Sequence, residues 1–70
     1  MFTPPHPPLA PITASEERVL RVLLQGSTNR DIARSLVLSP RTVESHISSL
    51  LAKTGCRNRM ELLLWTLAQR

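Results

Sequence analysis

Aromatic side chains are almost missing from this chain: one tryptophan, one phenylalanine and no tyrosine among 70 residues. The core is therefore expected to be aliphatic, and at this length there is room for a single small one. Cysteine is nearly as scarce. With Cys56 alone, neither an internal disulfide nor a cysteine-built zinc site is available. This fits a reducing compartment, and a cytoplasmic location is expected. No apolar run approaches the length needed to span a bilayer. The N-terminus lacks a basic stretch followed by an apolar one, so neither a membrane partner nor a signal peptide is expected. Acidic residues are outnumbered five to nine by lysine and arginine, which leaves a formal charge of +4. None of the charged side chains falls in residues 1–11, so the excess sits on the remainder. A small basic domain suits a polyanion such as nucleic acid, although a merely soluble basic surface has the same composition.

Signatures of catalysis are missing too. There is no glycine-rich phosphate loop, no carboxylate pair set for acid–base work and no metal-ligand cluster. His46 and Cys56 lie ten residues apart, one expected mid-helix and one in a turn, which is a poor start for a nucleophile–base dyad. No enzyme activity, cofactor or metal is expected.

What the chain does contain is ordered. Residues 1–11 hold five of the six prolines and read as a disordered arm or linker of extended conformers. Residues 12–70 read as one all-α domain of four helices. Thr13 and Glu16 have capping-box spacing, starting a helix over 14–24 that buries Val19, Leu20, Leu23 and Leu24, with Ile12 stapled on from outside. Gly26 supplies the left-handed residue that ends it. Thr28 caps a second helix over 29–36, burying Ile32, Ala33 and Leu36. Val37 and Leu38 make a short turn. Ser39 and Pro40 then start a third helix over about 40–53, whose buried stripe is Val43, Ile47, Leu50 and Leu51. Gly55 stops it, and Asn58 caps a fourth helix over 59–69. At ~100° per residue, Arg41, Ser45, Ser48, Ser49 and Ala52 share the face of the third helix opposite its stripe. That face is slim and polar, and a helix of this length rises about 20 Å, which fits a DNA major groove. The same pattern also fits an ordinary amphipathic helix with a solvated face. A short helix, a tight turn and a longer helix form a helix-turn-helix pattern.

Six motifs occur in order: I-T-x-x-E at 12–16, V-L-x-x-L-L-x-G at 19–26, T-N-R-D-I-A-x-x-L at 28–36, L-S-P-R-T-V-E-x-H-I at 38–47, L-x-K-x-G at 51–55 and R-x-R-x-E-L at 57–62. On these, residues 13–67 resemble the DNA-binding domain of LuxR/NarL/FixJ-type bacterial transcription regulators. The resemblance implies double-stranded DNA as partner, a third helix that reads the major groove, and a homodimer through the fourth helix. It adds RNA polymerase or a regulatory domain as further candidate partners.

Residue by residue, it implies phosphate contacts from Arg41 and Thr42 and a backbone-facing start of the second helix at Thr28, Asn29 and Arg30. Lys53 and Arg57 are further phosphate candidates, and His46 matches a recurrent histidine that serves equally well in packing. Arg41 and Lys53 head the list. Arg59 is expected in an internal salt bridge, with Glu16 one candidate partner. Base reading falls to Glu44, Ser45 and Ser48, and Ser49 is a further DNA-binding candidate.

The chain departs from the pattern where relatives often carry lysine, at Glu44 and Ser48. Serine discriminates bases poorly, whereas Glu44 can accept from cytosine or pair with Arg41 on the helix surface. Thr54 and Cys56 replace the usual leucine and valine. Thr54 is expected to bond back to a carbonyl one turn earlier. Cys56 is expected as a small buried hydrophobe or, if exposed beside Arg57, as a reactive thiol.

Met60, Leu62, Leu63, Leu64, Trp65, Leu67 and Ala68 make the fourth helix apolar almost all round. With Leu62 and Leu63 inward, as the resemblance implies, Met60, Leu64, Leu67 and Ala68 lie roughly opposite and form an expected dimer face. The runner-up reading is a protein-interaction module that keeps the fold with little DNA affinity. A sigma-factor-like helix-turn-helix fits the caps and the fourth helix less well.

Overall fold

Each helix begins where a side chain can satisfy the free N–H groups of a first turn. In the computed structural model, which describes residues 10–68, these are α1 (Ala14–Leu23), α2 (Asn29–Leu36), α3 (Pro40–Thr54) and α4 (Arg59–Ala68). Thr13 accepts from the Glu16 N–H at 3.1 Å while Glu16 Oε1 accepts from the Thr13 N–H at 3.0 Å, so the capping box of α1 is closed on both sides. Thr28, Ser39 and Asn58 accept in turn from the N–H groups of Asp31, Thr42 and Glu61. Residues 1–9 of the expected disordered arm at 1–11, and the last residue of the expected fourth helix, lie outside the described residues.

The two central helices are α1 and α3. Helix α1 packs on α2, α3 and α4, and α3 on α1, α2 and α4. Between them lie Val19, Leu20, Leu23, Ile32, Ala33, Val43, Ile47, Leu50, Cys56, Leu62 and Trp65, all buried. Trp65 overturns the expectation of a wholly aliphatic core: it is buried on the inward side of α4, one turn after Leu62. Leu24, Leu36, Leu51 and Leu63 are half-buried at the margin. Cys56 sits inside, so the exposed, thiolate-prone alternative is not the one found. Thr54 Oγ1 donates to the Leu50 carbonyl at 2.8 Å and accepts from the Cys56 N–H at 3.3 Å, which lets a hydroxyl occupy a fully buried position.

Helix α3 stops at left-handed Gly55, φ +74°, where glycine meets no Cβ penalty. Helix α1, expected to end on Gly26, instead closes on right-handed Leu24, φ −62°, and Gly26, φ +80°, follows two residues later. The stop of α2 is different. Val37 has φ +57°, and the Leu38 N–H returns to the Ala33 carbonyl at 2.8 Å in a Schellman closure. A β-branched residue there is strained, and Val37 is 91% exposed, so little packing offsets the strain. Val37→Gly removes a penalty of about 1–2 kcal/mol and adds about 0.5–1 kcal/mol of chain entropy cost. A net gain of roughly 1 kcal/mol is expected, visible as a higher melting temperature. A lower one would show that Val37 makes a packing contribution its exposure conceals.

Candidate nucleic-acid interface

The turn of Val37, Leu38 and Ser39 joins α2 to α3, which pack on one another, and the small Ala33 is buried on α2. Pro40 needs no N–H partner at the first position, and the Ser39 and Thr42 hydroxyls lie 2.9 Å apart over the helix start. With Val43, Ile47 and Leu50 turned inward, α3 exposes Arg41, Glu44, Ser45, Ser48 and Ala52. An open groove of about 460 Å³ runs beside this face, lined by Glu16, Ser39, Arg41, Thr42, Ser45, His46 and Ser49. His46 is half-buried at its edge.

The candidate residues divide by what holds them. Among the described residues Arg41 and Arg30 are exposed and make no hydrogen bond or ion pair, so both guanidinium groups are open to an anion. Arg41 and Glu44 do not pair, and the surface ion pair considered for them is absent among the described residues. Arg57 is exposed but engaged: its Nη2 lies 3.2 Å from Glu61 Oε2, and its backbone N–H donates to Glu61 Oε1 at 2.8 Å. That N–H, chief among Arg57's contributions, holds the Glu61 carboxyl below its ordinary value.

Asn29 Oδ1 accepts from Arg59 Nη1, and Arg59 Nη2 donates to the Ser27 carbonyl at 2.6 Å. Arg59 is therefore tied internally as expected, but by neutral oxygens that join α4 to the start of α2. The suggested Glu16 partnership is corrected: the cation on Glu16 is Lys53, with Nζ 2.6 Å from Oε1. Glu16 Oε2 accepts from Ser49 Oγ at 2.8 Å. Burial alone would raise the Glu16 pKa. The Lys53 bond, the Thr13 N–H and the Ser49 hydroxyl outweigh it and bring the group from 4.5 down to about 2. Reading along the chain could not find this cluster, because its members are 33 and 37 residues apart.

A family model described as "Bacterial regulatory proteins, luxR family" matches residues 10–66. The chain belongs to this family. It is 40% identical over 67 residues to response regulator Rre1 of Synechocystis, an alignment covering 96% of this chain and 29% of that protein. With the nitrate/nitrite response regulator NarP of Escherichia coli it shares 39% identity over 70 residues, covering 100% and 33%. A putative HTH-type transcriptional regulator of Mycobacterium bovis is 40% identical over 52 residues, covering 74% and 6%. The chain thus spans a third or less of the length of these relatives. The four helices and the α2–turn–α3 unit are the all-α helix-turn-helix domain of this family. Among the described residues no helix is long and apolar enough to cross a membrane.

Proposed function

We propose that this domain binds double-stranded DNA sequence-specifically in the cytoplasm to regulate transcription, with α3 in the major groove. The observation that carries the reading is the slim exposed face of α3 with unengaged Arg41 at its start and unengaged Arg30 on α2. Two arginines open to phosphate on the two arms of a helix-turn-helix supply attraction and register. The test is Arg41→Ala. One lost phosphate contact makes the slope of log K against log salt shallower by about one unit and weakens binding to all sequences alike. A folded variant with unchanged slope and affinity would remove Arg41 from the interface.

Specificity on this reading rests on Glu44, Ser45 and Ser48. Glu44 is exposed and unpaired by Arg41, so it is free to accept from a cytosine amino group. Glu44→Ala is expected to change base preference at about one or two positions and to raise non-specific affinity by removing a charge that repels phosphate. Site selection that returns the same motif at the same strength would exclude Glu44 from base reading. The outward face of α4 completes the proposal. Met60, Leu64, Leu67 and Ala68 are all exposed, Met60 at 64% and Leu67 at 53%, and this apolar face is assigned to a second copy of the domain.

A further inference from the structure

Beside the candidate DNA-binding face lies a buried carboxylate for which DNA contact has no use. Glu16, 4% exposed, receives the Thr13 N–H at 3.0 Å, Lys53 Nζ at 2.6 Å and Ser49 Oγ at 2.8 Å. Lys53 Nζ also donates to the Pro11 carbonyl at 3.0 Å. Two side chains one turn apart on α3 are thus both committed to the first turn of α1 and the peptide before it.

Two things follow from the chemistry. An ammonium that already serves a carboxylate and a carbonyl is a poor phosphate ligand, because moving it to DNA would strand the Glu16 charge in a buried position. The two attachments on α3 are also about 6 Å apart along the helix axis. Together they resist a roll of α3 against α1, and such a roll would swing Arg41, Glu44, Ser45 and Ser48 across the groove floor.

We infer that Glu16, Ser49 and Lys53 form a clamp that sets the roll of α3, with Lys53 a positioning residue and not a phosphate contact. The inference rests on the DNA-binding reading above. It also withdraws Ser49 from the DNA-contact candidates, since its hydroxyl is spent on Glu16.

The experiment uses the whole 70-residue chain and the double variant Glu16→Gln, Lys53→Met, which deletes both charges together and leaves the net charge unchanged. Each is titrated with the duplex selected by the parent chain, over a series of salt concentrations, after circular dichroism has shown both folded. The expected result is about tenfold weaker binding, a broadened base preference and an unchanged salt slope. A slope shallower by about one unit overturns the inference, because Lys53 then contacts phosphate. Unchanged affinity, slope and preference overturn it too, because the cluster then only holds the fold. Should the double variant not fold, Ser49→Ala removes one arm of the clamp without touching a charge. It is expected to weaken binding several-fold at unchanged slope, and no weakening overturns the clamp. A parent chain that forms no salt-dependent complex overturns the proposed function and this inference with it. A parent that binds while the variant's slope falls overturns the inference alone.

Discussion

Lys53→Met is expected to cost about 3 kcal/mol of folding stability at neutral pH, because it leaves a buried carboxylate without its cation. The methionine keeps most of the apolar stem of the side chain but removes the cation. The Glu16 side chain, 5% exposed, is then left ionised with only the Thr13 N–H and the Ser49 hydroxyl. Urea unfolding measures the loss, and a change under about 0.5 kcal/mol would place the pair among solvated surface ion pairs.

The same site makes stability depend on pH. The Glu16 pKa is lower in the folded chain, about 2, than its ordinary 4.5. Its contribution is therefore complete above the ordinary value and is lost as pH falls from there toward the folded value. The parent chain should lose on the order of 2 kcal/mol across that window. The Glu16→Gln, Lys53→Met variant should lack this part of the acid sensitivity. An identical acid profile in the two proteins would show that another carboxylate controls it.

Leu64→Glu with Leu67→Glu is expected to abolish cooperative occupation of a duplex carrying two adjacent half-sites while leaving the fold and single-half-site binding intact. The side chains are 37% and 53% exposed, so glutamates there can reach water. Two such charges on each partner of a symmetric contact would face like charges in an apolar setting. The loss should be about tenfold or more in affinity for the paired site, with equal affinity for the single one. Global unfolding would place these leucines in the core, and unchanged cooperativity would put the dimer contact elsewhere.

How far the sequence could carry these statements depended on the range of the interaction concerned. Caps are local, so Thr13, Thr28, Ser39 and Asn58 marked the starts of all four helices, and Gly55 marked a stop. Periodicity found the inward stripe of α3, because Val43, Ile47 and Leu50 are separated by helical spacing alone. Val37 was read only as a turn residue, since nothing in a valine announces a left-handed conformation. That geometry comes from the Schellman closure of α2 onto Leu38. Trp65 could not be assigned a side while α4 was apolar almost all round, and contact with α1 and α3 decided it. The ion pairs were least legible. Glu16 was offered Arg59 and took Lys53, and Arg59 took Asn29 and Ser27 instead. Such choices are made by tertiary approach, which charge type and spacing do not encode. For the candidate interface, the sequence named the residues, and the structure separated unengaged Arg30 and Arg41 from engaged Asn29, Ser49, Lys53 and Arg57.

The proposed function depends above all on contact between the exposed face of α3 and DNA. The most direct measurement is selection of bound sites from random duplex DNA by the unaltered chain, followed by titration of the recovered duplex over a series of salt concentrations. A recovered motif is expected, with a log K that falls linearly with log salt at about 0.9 per phosphate contact. No enriched motif, and no complex whose affinity depends on salt, would contradict it and leave a domain that keeps the family's fold for binding protein.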